Sequence, residues 1–341
     1  MKTPPGPQLT YRWHGFRPSS ITPQSLLSTG PRGYTLTSYM AVLRIGTRAS
    51  LLATRQTGWV ADRLRAAHPG LEIEIIQITS TGDRIQDRPL YEFGGKGLFT
   101  QELEVALLEH RVDLAVHSFK DVPVTMPLVQ QSGLIFAAVP KREDPRDALI
   151  ATGIRRIEHL PRSAKVGTGS LRRRCQLLAM RGDLVIEPIR GNIDSRLRKL
   201  REGQYDAVIL AMAGLKRAGL FDPTCMTAIL PQEMVPSAGQ GALALQCRAD
   251  DAPTQQIATA LEDAESRLCV LAERHLVLEL NGDCHSPIGA LATIENGLMT
   301  LHGTLGGSDG NPPVAKSSVS ASPDKIMGLV ADLADRLKKG L

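Results

Sequence analysis

The chain has 341 residues, enough for two or three domains each with its own core, and its 42% hydrophobic and 22% charged content is that of a globular protein. No apolar run approaches the ~18 residues of a membrane span, and aromatics at 4% are too sparse for the stacking platforms that hold single-stranded nucleic acid. The net charge of +5 is spread along the chain, with no Lys/Arg run longer than 172–174. The five cysteines are odd in number and form no Cys-x-x-Cys pair, which points away from a metal site or disulfide framework and toward a reducing compartment.

Residues 1–40 contain no Asp or Glu and are rich in Pro, Ser, Thr and Gly. They are expected to form a disordered or non-native leader, the alternative being an organellar transit peptide. From residue 41 a repeating unit begins. Residues 42–45 read as a strand, Gly46-Thr47-Arg48-Ala49 as a junction, and Ser50 as the cap of a helix running through Leu51, Trp59 and Leu64 to Pro69-Gly70. A strand over 71–79, the Gly94-Gly95-Lys96-Gly97 loop and a helix over 100–110 follow. That helix feeds a strand at 113–116 closed by Pro123, so Ser118, Lys120 and Asp121 arrive together at a strand end, where open α/β sheets bind ligands.

The unit recurs. A strand at 164–166 leads through Gly167-Thr168-Gly169-Ser170 into a helix over 171–180 that opens with Arg172 and Arg173. A strand at 184–189 leads through Arg190-Gly191-Asn192 into a helix carrying Arg196 and ended by Gly203. The apolar run 205–212 is that of a strand covered on both faces. These spacings predict parallel sheets with crossover helices. Three strand-to-helix junctions, at Arg48, at Ser170 with Arg172 and Arg173, and at Arg190 with Arg196, combine glycine, a hydroxyl or amide, and arginine. Helix N-termini with unpaired N–H groups and planar guanidiniums suit carboxylate or phosphate. None matches the phosphate loop Gly-x-x-x-x-Gly-Lys-Ser/Thr, and a polycarboxylate fits as well as a nucleotide.

After Gly239-Gln240-Gly241-Ala242 the pattern changes. One long helix is expected over 254–279, then the loop Asn281-Gly282-Asp283-Cys284-His285-Ser286-Pro287, then antiparallel strands at 290–294, 298–305 and 314–320 with turns at Asn296-Gly297 and Asp309-Gly310. A final helix starts at Ser322-Pro323. Cys175, Cys247 and Cys269 lie in helix- or strand-like apolar patterns. Cys284 instead sits in a polar loop beside His285, and reads either as a free thiol or as a nucleophile or attachment point.

In order along the chain, Gly94-Gly95-Lys96-Gly97-Leu98-Phe99, Val116-His117-Ser118-Phe119-Lys120-Asp121-Val122-Pro123, Arg142-Glu143-Asp144-Pro145-Arg146-Asp147, Ser170-Leu171-Arg172-Arg173, Arg190-Gly191-Asn192 and the Cys284 loop resemble the porphobilinogen deaminase (hydroxymethylbilane synthase) family over 41–341. The resemblance implies an α/β fold of two periplasmic-binding-protein-like, doubly wound domains (41–137 with 238–253, and 138–237) and a C-terminal α+β domain with an antiparallel sheet (254–341). It implies a transferase of tetrapyrrole biosynthesis that condenses four porphobilinogen molecules head to tail into hydroxymethylbilane with release of ammonia.

By the same resemblance Cys284 holds a dipyrromethane cofactor through a thioether. Asp121 is the acid/base group, protonating the departing amine and stabilising the resulting positive charge. Arg48, Arg172, Arg173, Arg190 and Arg196, with Ser118, Lys120 and Ser170, bind acetate and propionate groups. Lys96 lies on a loop near the cleft, and Arg217 and Gln240 match positions near the active site. No metal, nucleic acid or membrane partner is implied, and a cytoplasmic monomer is expected, or an organelle stroma or matrix if 1–40 is a transit peptide. Three positions depart from the family pattern: Glu92 where a basic residue is usual, Gly169 where serine is common, and Asp283 where glycine is frequent. Two other classes make different demands. A non-catalytic anion-binding protein of similar lobes leaves Cys284 without a role, and a nucleic-acid binder explains only the basic charge.

Overall fold

Strand β1 (Leu43–Arg48) runs straight into helix α1 (Leu51–Ala67), whose start is fixed by Ser50: its Oγ accepts the Ala53 N–H at 3.3 Å. The buried side chains of α1, at 53, 56, 57, 60, 61 and 64, form one helical stripe, and the chain turns away at Gly70 with φ +88°. The computed structural model describes residues 42–80, 97, 100–124, 133–283 and 285–341. The expected leader 1–40 and the Gly94-Gly95-Lys96 segment lie outside them.

Strands β1, β2 (Ile73–Ile78) and β3 (Leu114–Ser118) are parallel, with helix α2 (Gln101–Leu108) between β2 and β3. The chain leaves this sheet after β4 (Leu134–Ala138), builds a second sheet, and returns as β10 (Leu243–Arg248). β10 inserts antiparallel between β3 and β4 to give the order β2-β1-β3-β10-β4. The second sheet consists of β5 (Asp147–Ile150), β6 (Lys165–Gly167), β7 (Val185–Glu187), β8 (Ala207–Ala211) and β9 (Met226–Ala228), in the order β7-β6-β8-β5-β9. β6 is parallel to β7 and β8, and β5, the incoming crossing strand, is antiparallel to its neighbours. Both sheets therefore have four strands running in one direction and one antiparallel crossing strand in the corresponding place, fourth in the order. Helices α3 (Leu171–Met180), α4 (Ile193–Arg201) and α5 (Met212–Arg217) follow β6, β7 and β8. Apolar clusters lie on both faces of each sheet, as the two doubly wound lobes expected from the sequence require.

The single helix expected over 254–279 is two helices, α6 (Ala252–Thr259) and α7 (Ala264–Glu279). The leucine spacing continues across the break, but Asp263 takes the N-cap, its Oδ1 accepting the Ser266 N–H at 2.8 Å. The break is tied to the first crossing: the backbone N–H of Asp263 donates to Val139 O at 2.9 Å, and the Glu262 side chain accepts the Val139 N–H on Oε2 at 2.7 Å. Consequently α6 packs Ile257 and Ala258 into the core of the first sheet, while α7 belongs with the antiparallel strands β11 (Ile288–Glu295), β12 (Leu298–Gly306) and β13 (Val314–Ala321). The β11–β12 turn has φ +52° at Asn296 and +77° at Gly297, the left-handed pair that a two-residue hairpin needs. Helix α8 (Ile326–Lys339) lays Leu329, Leu333 and Leu337 against Leu276 and Leu301.

Candidate active site

Because β1 and β3 are parallel neighbours, their C-terminal ends bring Arg48 and Ser118 to the same sheet edge. A 3-10 turn, Phe119–Asp121, then carries Lys120 and Asp121 out of the sheet. β10 starts opposite Ser118, so the returning residues Gly239–Ala242 lie against that turn, with Phe119 N–H donating to Ala242 O at 3.0 Å. Two glycines make the approach possible. Gly239 (φ +70°) would bring a Cβ to 3.2 Å from Lys120 N, and a Cβ on Gly241 (φ +88°) would strike the Glu143 carbonyl oxygen.

The facing lobe supplies the starts of two helices. Ser170 caps α3, its Oγ accepting the Arg173 N–H at 3.4 Å, and Arg190-Gly191-Asn192 precedes α4. Between the lobes lies a cavity of about 550 Å³. Arg48, Ser50, Gln56, Ser118, Lys120 and Asp121 line one side, and Ser170, Arg173, Arg190, Arg196 and Arg217 the other. Nine of the expected residues thus meet in one cleft, which draws on all three expected anion-binding junctions. Two stand behind its wall. Arg172 is 3% exposed, and its Nη1 donates to Asp147 Oδ2 at 2.8 Å and to Val235 O at 2.7 Å. Gln240 is fully buried, and its Nε2 donates to Pro145 O and Asp147 Oδ1 at 2.8 and 2.9 Å. Lys96, Cys284 and Glu92 lie outside the described residues. Gly169 lines the cleft beside Ser170, and a Cβ there would make an ordinary 3.5 Å contact with Ile189 O.

The charges are strongly coupled. Burial pulls the Lys120 ammonium down to about 8, with Asp121 opposing and Arg173 reinforcing the shift. Burial, together with the neighbouring Arg173 and Arg190, draws the Arg196 guanidinium down to about 10, and burial against the opposing pull of Glu143 does the same for Arg217, so both stay charged at neutral pH. Among the described residues nothing donates a hydrogen bond to the Asp121 carboxylate. It lines the cleft beside Lys120 and Arg196, where a ligand's proton or cation can reach it; Asp194, in the first turn of α4, is the other carboxylate on the cleft.

Sequence reasoning missed Gln56 and Asp147. Gln56 sits on the buried stripe of α1 and accepts the Ser118 hydroxyl at 3.1 Å; a polar residue at a core-facing helix position was the available signal. Asp147 ends the quoted Arg142–Asp147 motif, where nothing in the sequence sets it apart from its charged neighbours. A smaller cavity of about 20 Å³ adjoins the site, lined among others by Lys120, Ser170, Arg172, Arg274, Asp283 and Ser286. Here the unusual Asp283 has a visible role. Its Oδ1 accepts the N–H groups of His285 and Ser286 and the Ser286 hydroxyl at 2.8 to 3.0 Å, a cage that fixes the chain on either side of position 284. Arg274 of α7 ties this region to the Asp121 turn, donating to Val122 O and Pro123 O at 2.8 and 2.6 Å with its guanidinium 4.8 Å from the Phe119 ring centroid.

Two lobes facing a cleft lined mainly by cations, with the Asp121 carboxylate among them, define a protein suited to hold an acidic small molecule between its lobes. The comparisons narrow that class. Residues 43–256 match the family model described as porphobilinogen deaminase, dipyromethane cofactor binding domain, and residues 267–339 match porphobilinogen deaminase, C-terminal domain. The chain belongs to the porphobilinogen deaminase family. Porphobilinogen deaminase of Roseiflexus sp. (strain RS-1) is 47% identical over 295 residues, covering 86% of this chain and 95% of the relative, and that of Roseiflexus castenholzii is 47% identical over 296 residues at the same coverage. Among solved structures, the second substrate binding domain of a putative amino acid ABC transporter from Streptococcus pneumoniae superposes with a TM-score of 0.41 at 14% identity, covering 70% of this chain and 98% of that one.

Proposed function

We propose that this chain is a hydroxymethylbilane-forming transferase that joins four porphobilinogen molecules head to tail with release of ammonia, working in the cleft between its two lobes. The observation that carries the reading is the seating of Asp121 among Lys120, Arg173, Arg190 and Arg196 in one cavity, within a chain of this family. Porphobilinogen carries two carboxylates and an aminomethyl group, so its site needs cations for the first and a proton-relaying carboxylate for the second. The cleft meets both needs.

The same residues fit an acidic dipyrromethane. Arg48, Lys120, Arg173, Arg190 and Arg196 put five cationic side chains along one cavity, more positive charge than one two-carboxylate substrate balances, and about 550 Å³ lies within the range of ligand pockets. When bound through Cys284, that group supplies the free pyrrole position at which the chain is extended. The remaining chemistry belongs to the protein. The Asp121 carboxylate relays a proton to the departing amine nitrogen and compensates the positive charge left on the methylene-pyrrole, a role made stronger by the partly water-excluded cleft. The guanidiniums hold acetate and propionate groups by planar two-point contacts, and Lys96 adds a further cation for them. Arg172 serves from the small cavity next to the Cys284 loop, and Gln240 through Lys120, whose Nζ donates to its Oε1 at 3.4 Å.

The reading keeps three domains and counts α6 with the first, because Ile257 and Ala258 lie in that core. It is a cytoplasmic, monomeric enzyme, or an organellar one if residues 1–40 are a transit peptide. No helix among the described residues is long and apolar enough to cross a membrane. The test is incubation of the purified protein with porphobilinogen, measuring ammonia and linear tetrapyrrole together. The reading expects four ammonia molecules per tetrapyrrole, and binding without ammonia release would leave only an anion-binding protein.

A further inference from the structure

Two consecutive arginines on a helix point about 100° apart, yet the guanidiniums of Arg172 and Arg173 converge on one carboxylate. Asp147, fully buried at the start of β5, receives Arg172 Nη1 on Oδ2 at 2.8 Å, and Arg173 Nε and Nη2 on Oδ1 at 3.1 and 2.8 Å. Its Oδ1 also takes the Gln240 amide at 2.9 Å, and that amide's oxygen accepts from Lys120. Backbone carbonyls complete the two forks, Val235 O on Arg172 and Ile209 O on Arg173. Arg172 keeps Nε and Nη2 without a hydrogen bond among the described residues and lines the small cavity beside the Cys284 loop, while Arg173 lines the main cleft. One anion therefore assigns two adjacent arginines to two different spaces.

We propose that Asp147 is the positioning residue of the anion-binding wall: its carboxylate aims Arg172 and Arg173 and, through Gln240, seats Lys120, so that binding of the acidic substrate depends on their aim more than on net positive charge. The inference rests on the functional reading above for the identity of that substrate. The groups facing Asp147 are Arg172 and Arg173 from α3, Gln240 from the return crossing and, beyond it, Lys120 from the turn after β3. Burial pushes the Asp147 carboxyl up, but the two guanidiniums pull it well below the usual carboxylate range, so it is ionised throughout the neutral region.

Aim and charge predict opposite signs. Asp147→Asn keeps the shape of the side chain and one hydrogen-bond acceptor but makes the wall more positive by one charge. If net charge governs binding, the KM for porphobilinogen falls. If aim governs, KM rises by at least ~10-fold, corresponding to the loss of one well-directed charged contact, and intact mass spectrometry finds a smaller fraction of the variant carrying the dipyrromethane mass. Circular dichroism and thermal melting establish that the variant is folded. Should it not fold, Gln240→Met is measured instead: it leaves both arginine pairs intact, breaks the link to Lys120, and is expected to raise KM by ~5-fold. A KM unchanged or lowered in the folded variant overturns the inference while leaving the functional reading intact. A wild-type protein that releases no ammonia from porphobilinogen overturns that reading, and this inference with it.

Discussion

The Arg142 guanidinium closes on Glu273 through two parallel contacts, Nη1 to Oε1 at 2.6 Å and Nη2 to Oε2 at 3.1 Å, and the same carboxylate takes the backbone N–H of Ala292 on Oε1 at 2.8 Å and of Gly239 on Oε2 at 2.7 Å. Arg142 also donates through Nε to Gln240 O at 2.8 Å. Glu273 is fully buried. One carboxylate on α7 thereby fastens the outgoing crossing, the returning crossing and the first strand of the C-terminal sheet, and the cleft wall inherits its geometry from that knot.

Breaking the knot on one side leaves a buried charge unpaired. Glu273→Gln is expected to cost about 3 to 5 kcal/mol of stability, and the double variant Glu273→Met with Arg142→Met less than either single one, because no uncompensated charge remains. Urea denaturation of wild type, Glu273→Gln, Glu273→Met, Arg142→Met and the double variant checks both statements. A Glu273→Gln midpoint equal to wild type contradicts the first.

Lys120 gives the cleft a pH limit. With its pKa drawn down by burial to about 8, it loses its charge as pH rises through that value, so KM for an acidic substrate is expected to climb above pH 8 while kcat changes less. Unfolding is not the cause. The folded protein holds this proton less tightly than the unfolded chain, whose lysine titrates near 10.5, so the contribution of Lys120 to stability grows between those two values. A KM profile flat to pH 9.5 would argue that Lys120 does not hold the ligand.

Asp121→Asn keeps the size of the side chain and removes the charge and the transferable proton. Turnover is expected to fall by at least ~10² with the fold and the covalent cofactor retained. Steady-state kinetics paired with intact mass distinguish this from loss of loading, and near-normal turnover moves the acid/base role to another group.

Arg190→Lys preserves charge but gives up the two-point fork, and is expected to raise KM or to stall the enzyme with intermediate numbers of substrate units attached. Arg155, exposed and bonded to the Pro223 carbonyl away from the cleft, is the control and is expected to tolerate lysine. Arg172→Lys also loses the shared carboxylate of Asp147, so its effect extends to melting temperature. Native mass spectrometry reads the stalled species, and identical behaviour of Arg190→Lys and Arg155→Lys removes Arg190 from the binding wall.

Much of this was legible in the residues. The Gly-Thr-Gly-Ser-Leu-Arg-Arg run signals a strand, a capped helix start and two arginines at once, and the structure puts the helix at the expected 171–180. Asn296-Gly297 announces its hairpin because few other pairs tolerate that backbone. What could not be read were relations between distant segments. Asp147 looks like a solvated charge until β5 is seen to bury it under α3, and the role of Glu273 is hidden inside an ordinary helix. The break at 260–263 escaped because the leucine period continues through it, while the Val139 backbone that stabilises the interruption lies more than a hundred residues away. The three-residue strand β7 carries too short a pattern to show the ends of the strand expected over 184–189, and β9 too short a one to be expected at all.

Extension of a pyrrole primer, bound at Cys284, in the cleft beside Asp121 is tested most directly by intact mass spectrometry of the wild-type, Cys284→Ser and Cys247→Ser proteins with Ehrlich's reagent staining. Cys247 is buried in β10 with its thiol pushed up to about 12, so it offers no alternative nucleophile. Wild type and Cys247→Ser are expected to carry the dipyrromethane mass and stain positive, and Cys284→Ser to do neither. A wild-type protein without the added mass, or an adduct that persists in Cys284→Ser, would contradict extension of a primer bound at Cys284.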